Sequence, residues 1–279
     1  TLSCNYKARF KPMRNSLAYF RAALLSLQVE LQFRTNFILG LLRSFVSVTV
    51  MLLLWLKVYD QADIIAGLTQ ADMVAYYIAV FALSPFLNLE TDWDLWAAIK
   101  YGKLSHYLLL PINYYWYSTA RKFGAATINL LLFPLLLLYG RWLTGISFSA
   151  YFSAHKFFLF LVALINATLI ARAISFLRGL LGFWLEDVGL ISWLDRVIIS
   201  LLSGKYFPLT FLPLSIRAWF LYLPFQAIFS APIEVLLTPA VDIRLVMRTA
   251  YNSLWAFLLT SLVKYSWSKG VSKYQAAGG

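Results

Sequence analysis

Apolar positions in this chain gather into long blocks, separated by shorter polar stretches. The first patterned stretch, 14–34, is different. Leu17, Phe20, Leu24, Leu27 and Leu31 recur at three- and four-residue steps, while Arg14, Arg21 and Gln28 take another face. That spacing predicts an amphipathic helix. With Lys7, Arg9 and Lys11 ahead of it, the helix is expected to lie in the cytoplasmic interface of a membrane rather than cross it.

Six apolar blocks follow, at about 37–59, 71–90, 123–143, 156–177, 186–204 and 248–267. Each is near the roughly 20 residues a helix needs to cross hydrocarbon. The first contains the charge-free run SFVSVTVMLLLWL (44–56), with Arg43 near its inner end and Trp55 and Tyr59 at an interface. The third, FGAATINLLLFPLLLLYG (123–140), predicts a kink at Pro134. A charged segment, 90–122, separates spans two and three, and a short turn near 144–154 precedes span four.

Residues 205–247 are apolar too, but Pro208, Pro213, Pro224, Pro232 and Pro239 fall there, five of the nine prolines. Short broken helices dipping partway into the membrane are expected, since irregular backbone at depth must be shielded by protein or water. A seventh full span is the competing reading. The fold class is thus all-α and polytopic, with domains at 1–36 (cytoplasmic N-terminus and amphipathic helix), 37–267 (six spans) and 268–279 (cytoplasmic tail).

Composition agrees. Of 279 residues 61% are hydrophobic and only 13% charged, and mean hydropathy is +0.71, where a soluble chain is about 45–50% apolar and about 25% charged. The net charge of +12 is spread beside the apolar blocks, so it reads as topology and lipid contact rather than nucleic-acid binding. Fifteen Lys and Arg flank one side of the spans and seven the other, which predicts both termini in the cytoplasm. A lone cysteine, Cys4, has no internal disulfide partner. Residues 1–36, polar-basic and then amphipathic, do not read as a cleavable signal peptide.

Catalytic signatures are missing. Gly102-Lys103 and Gly204-Lys205 lack the upstream glycine of a nucleotide-binding loop. No His-Glu-x-x-His, cysteine cluster or Gly-x-Ser-x-Gly occurs, and His106 and His155 lie far apart. No catalytic or metal-binding residue is expected. Asp195 and Arg196 fall near the middle of span five, where a charge costs about 2.5–3.5 kcal/mol on insertion scales. They read either as a pair satisfied inside the protein or as part of a polar path or subunit interface. Asn166 and Thr168 in span four read as helix-packing hydrogen-bonders or path residues.

Three segments, GKLSHYLLLPIN (102–113), SGKYFPLTFLP with LPFQAIFSAPIE (203–213 and 223–234) and WSKGVSKYQAAGG (267–279), together resemble the permeases of the type-2 exporter class of ABC transporters, the bacterial kind made as a polypeptide separate from its ATPase. GKLSHYLLLPIN (102–113) resembles that family's Gly-x-Leu-x-x-x-Leu-Leu-x-Pro motif. SGKYFPLTFLP (203–213) and LPFQAIFSAPIE (223–234) resemble its proline-spaced segment after span five, and WSKGVSKYQAAGG (267–279) its Trp-x-x-Gly-x-x-x-Tyr tail. The resemblance covers most of the chain.

It implies a permease subunit of an ATP-driven exporter in a bacterial inner membrane, paired with a second permease, identical or related. ATP and magnesium would be bound by partner ABC ATPase subunits, and none by this chain. The amphipathic segment becomes an elbow helix. The loop 91–122 holds a coupling helix, with Trp93, Trp96, Ile99, Tyr101, Gly102, Lys103, Leu104, Tyr107, Leu108 and Pro111 toward the ATPase. Re-entrant helices at 205–247 close the outer end, with Phe207, Pro208, Phe211, Phe220, Tyr222 and Phe225 as an apolar gate or a lipid-facing surface. Asn166, Asp195 and Arg196 would line the path or a subunit interface. The cargo would be amphipathic or hydrophobic: a lipid, lipid-linked glycan or drug-like compound. Asp195-Arg196 is more polar than this family's fifth span would carry. The alternatives are an intramembrane lipid-modifying enzyme using Asp195, Glu186, Asp187 or His155, and a structural subunit of a larger membrane complex.

Overall fold

A computed structural model describes residues 16–87, 92–146, 148, 151, 154–238 and 240–274. Cys4, Lys7, Arg9, Lys11, Arg14, Pro239 and residues 88–91 and 275–279 lie outside the described residues. The helices are α1 (Ser16–Gln32), α2 (Arg34–Tyr59), α3 (Gln70–Leu83), α4 (Trp93–Lys100), α5 (Leu104–Leu109) and α6 (Tyr114–Thr127). They continue with α7 (Leu132–Thr144), α8 (Ala154–Leu180), α9 (Gly189–Leu202), α10 (Leu214–Tyr222), α11 (Ser230–Leu237) and α12 (Ile243–Lys273). The strands among the described residues form one small hairpin, β1 (Ile64–Ile65) against β2 (Leu68–Thr69). Its two-residue turn places Ala66 and Gly67 at φ 50° and 79°, as a hairpin of right-twisted strands requires.

Leu17, Phe20, Leu24 and Leu31 of α1 are exposed, so the leucine stripe points away from the protein. The packing face is the small-residue one. Tyr19 and Ala22 are buried, and a Cβ at Gly124 of α6 would meet the Ala23 carbonyl oxygen at 2.1 Å. Tyr19 Oη accepts the backbone N–H of Asn113 at 3.0 Å, tying α1 to the start of α6.

Among the described residues two helical stretches are long and apolar enough to cross a bilayer, Ile38–Tyr59 and Lys156–Phe183. A third results if α6 and α7, bent by 40°, act as one span. The break is a 3-10 turn at Ile128–Leu131. It lies one turn before Pro134, whose ring excludes the helical hydrogen bond to the carbonyl four residues back. α6 begins at Tyr114, earlier than the polar sequence of 114–122 suggested, because Tyr114, Tyr115 and Ser118 are buried against the bundle.

The sequence blocks at 71–90 and 186–204 yield shorter helices than expected. α3 and α9 have 14 residues each, about 21 Å at 1.5 Å per residue against a core of about 30 Å. α3 is apolar on every side because protein surrounds it: residues 73–80 are all buried. Its start is fastened by a capping box, with the Thr69 hydroxyl accepting from Asp72 N and the Asp72 carboxylate accepting from Thr69 N. Tyr151 donates to the other Asp72 oxygen at 2.8 Å. Burial, then that carboxylate, pushes the Tyr151 phenol up, so it remains a donor.

Helix α12 runs 31 residues, about 46 Å, yet Thr249 and Asn252 interrupt its apolar pattern and are buried. They face α8 and the turn Pro224–Ala227. Asn166 of α8 donates to the Thr249 carbonyl at 3.2 Å and Ser253 Oγ at 2.9 Å, and Gln226 donates to Asn252 at 2.7 Å.

Between α9 and α12 the chain is a series of short helices. Pro208 and Pro213 stand just before the turn Leu209–Phe211 and α10, and Pro224 begins the next turn, where a missing N–H is not needed. Gly204, at φ 83°, makes the bend after α9. Its carbonyl accepts from buried Tyr76 Oη, and Ser230 N donates to the Ser203 carbonyl at 3.0 Å.

Candidate functional site

The conspicuous construction is at the end of the bundle where α4 and α5 pack. Asp92 caps α4, its carboxylate accepting Leu95 N at 3.3 Å. That side chain is fully buried and is met by Arg172 Nη2 of α8 at 2.9 Å and by Lys122 Nζ of α6 at 3.9 Å. Arg172 also donates to Ser118 at 3.4 Å. Close approach reinforces the pair: a Cβ at Gly179 would lie 2.9 Å from the Asp92 carbonyl oxygen, and one at Gly182 2.9 Å from Trp96 Cδ1. Small residues let α4 lie directly on the end of α8.

An apolar cluster completes the joint. Leu95, Ala98, Ile99 and Leu104 pack with Tyr114, Tyr115, Phe176 and Trp267. Trp267 stacks on Tyr114 at 5.8 Å and 12°. The last two turns of α12 and the residue after it thereby read as one docking face. Trp267 fills the cluster, Gly270 admits the Phe183 ring, and Tyr274 reaches Ser105 Oγ at 3.2 Å. Gly102, at φ 74°, forms the bend between α4 and α5 that side chains resist.

The ten residues expected to face a partner divide by position. Trp93, Tyr101, Lys103 and Pro111 are exposed; Trp96, Gly102, Tyr107 and Leu108 are partly covered; Ile99 and Leu104 are buried in the protein's own cluster. Leu109, 78% exposed, joins the outward face although the sequence reading passed over it. Asp94, Lys100 and His106 are exposed as well, with Lys100 Nζ 4.7 Å from the Trp96 ring. Asp92 and Arg172 were missed as a pair. A cap-forming Asp before an apolar run, and an Arg eight residues inside α8's end, were the available signals.

The three expected path residues separate. Asn166 serves the α8–α12 contact described above. Asp195 pairs with Arg178 Nε at 3.3 Å, so its carboxylate is satisfied within the protein. Arg196 lines a cleft of about 800 Å³ between α2, α6, α8 and α9, together with Arg43, Lys122, Arg172 and Lys205. A second cavity of about 370 Å³ lies beside the small hairpin, with Asp72 and Glu234 facing Arg217 and Arg248. Arg248 is ion-paired to Glu234 and donates to Gln226 Oε1 at 2.9 Å.

The six expected gate residues do not form one cluster. Phe211 packs on Trp55 with ring centres 5.4 Å apart, Phe225 packs on the central core, and Pro208 borders the second cavity. Tyr222 is exposed, its carbonyl accepting from Tyr251 and Trp255. Phe207 and Phe220 are half-buried. Among the described residues no group of three His, Cys, Asp or Glu side chains is placed to hold a metal.

A family model described as ABC-2 family transporter protein matches residues 45–278. No curated protein matches the chain.

Proposed function

Because the chain belongs to the ABC-2 family of transporter proteins, a multi-pass membrane family whose members work with ABC ATPases, we propose that it is the permease subunit of an exporter. In this reading α4 and α5 are the coupling element, facing the cytoplasm and a partner ATPase that binds ATP and magnesium. The observation that carries it is the pairing of an exposed aromatic face with a rigid mount. Trp93, Tyr101 and Leu109 are outward, while Asp92–Arg172 and the Trp267 stack bind the same helices to α8 and α12. A push on the outer face is then passed to two long helices as a rigid body.

The remaining assignments follow from this. Six crossings of a bacterial inner membrane put both termini in the cytoplasm, with α1 as the elbow helix whose exposed leucines meet lipid. Two permeases, identical or related, form the path, and ATP-driven closure of their ATPases rocks them between inward and outward openings. The stretch 205–247 closes the outer end, and the cargo is amphipathic or hydrophobic.

Copurification tests the proposal. Tyr101→Glu with Leu109→Glu should abolish association with the ATPase and leave the thermal midpoint of the chain unchanged. Leu104→Glu should instead unfold the helix pair, because it buries a carboxylate at a position with no exposure. Retention of the ATPase by the double variant would remove the coupling role from this face.

A further inference from the structure

We infer that the cleft between α2, α6, α8 and α9 takes an amphipath with an uncharged, hydroxyl-bearing head group, which rests on the permease reading and narrows its cargo. Hydroxyls from four helices line it: Ser44 and Ser47 of α2, Ser84 at the end of α3, Thr119 of α6 and Thr168 of α8, with the Asn129 carboxamide among them. Four of these donate to their own helix. Ser44 gives its proton to the Gly40 carbonyl at 3.0 Å, Ser84 to Val80 at 2.6 Å, Thr119 to Tyr115 at 2.7 Å and Thr168 to Leu164 at 2.5 Å. A hydroxyl that donates backward keeps its lone pairs for whatever occupies the space in front of it.

Those lone pairs decide the class of head group. Arg43 and Arg196 bring guanidinium N–H groups to the same space, so the lining offers acceptors and donors together. A carboxylate or phosphodiester only accepts, and each lining hydroxyl would have to give up its carbonyl to meet one. A quaternary ammonium neither donates nor accepts, and leaves both sets unused. A sugar-like hydroxyl does both. Charge adds no call for an ion: Arg43, Arg172 and Arg196 stand against Glu30, Asp94 and the Asp92 paired with Arg172. Lys122 and Lys205 have contacts of their own, among them Asp92 and the Phe229 ring. Phe86 and Phe123, ring centres 6.2 Å apart on the same lining, give the first carbons of a tail an apolar wall. About 800 Å³ is within the range of small-ligand sites, about 300–1,000 Å³.

Photolabelling of the purified full chain in a polyoxyethylene detergent tests this without the ATPase. The probe is octyl glucoside with a diazirine near the head end of its tail, and labelled peptides are read by mass spectrometry. Label should fall on the peptides that carry Phe86 and Phe123. Octyl glucoside should displace it at least about tenfold better than octyl phosphate, octyltrimethylammonium or free glucose, the scale of two neutral hydrogen bonds. Ser84→Ala with Thr168→Val removes two lining hydroxyls and strands no partner, because each acceptor carbonyl keeps its helical N–H. The double variant should weaken displacement by about fivefold or more. Asn129→Leu should act in the same direction and keeps the test open if the double variant misfolds. Equal displacement by octyl phosphate or octyltrimethylammonium overturns the inference, as do indifference to both sets of substitutions and label confined to peptides outside the cleft. Free glucose displacing as well as octyl glucoside makes the ligand a free sugar and overturns the amphipath. A parent chain that copurifies with no ATPase would sink the permease reading and leave this labelling standing; a coupled complex whose cleft takes no label would do the reverse.

Discussion

Replacing Asp92 with Ala removes three interactions with one side chain. The α4 cap is lost, at about 1 kcal/mol. Lys122, 3.9 Å away and 31% exposed, contributes under about 1 kcal/mol. The large effect is at Arg172. Its side chain is 6% exposed and would keep its charge with no carboxylate, and stranding a buried charge costs about 3–5 kcal/mol. The whole change is therefore about 4–6 kcal/mol, less than additive because Ser118 still accepts from Arg172. Thermal unfolding of the detergent-purified chain should show a large fall in midpoint, with amide exchange accelerating first across 92–109. The second half of the cycle is diagnostic. Asp92→Ala with Arg172→Met removes both charges and should recover most of the stability, since an apolar replacement of a buried pair is often near neutral. If the single variant melts like the parent, or the double variant is less stable than the single, the pair does not hold α4 on α8.

Other substitutions probe the joints singly. Gly124→Ala should displace α1, since the new methyl would fall 2.1 Å from the Ala23 carbonyl oxygen; a loss of about 1–3 kcal/mol and protease cleavage between α1 and α2 would report it. Gly204→Ala forces a side chain to φ 83° and toward Tyr76 Oη at 2.8 Å. It should cost about 1–3 kcal/mol, and adding Tyr76→Phe should relieve the clash while leaving the strain, read from unfolding midpoints. Asn166→Leu should be mild, about 0.6 kcal/mol, the average of an interhelical hydrogen bond in a membrane; complete loss of folded protein on gel filtration would contradict a packing role.

Local rules carried well where backbone chemistry is decisive. The bend of α6 on α7 follows from Pro134, and the short helices between α9 and α12 from prolines at their starts. Family-like motifs also acquired a cause: Leu104, Trp267 and Gly270 recur as contacts of one joint. The joint's charged centre was not legible. Asp92 and Arg172 lie 80 positions apart, and nothing in either neighbourhood names the other. Ile99 and Leu104 looked like partner anchors because an outward apolar residue and an inward one have the same chemistry in a string of letters.

The amino-acid sequence alone determined that lipid surrounds this protein and where helices must bend, because hydropathy and the φ preferences of proline and glycine act within a few residues. Only the tertiary structure decided which face of each helix meets protein. In water an apolar stripe marks the packing face. Beside lipid the interior and the solvent are both apolar, and α1 shows an exposed leucine stripe while it packs through Ala22, Ala23 and Gly124. For the same reason the placement of polar groups carries the information that hydropathy does not. Arg172 and Asp195 each find a partner inside, while Arg196 is left facing the cleft.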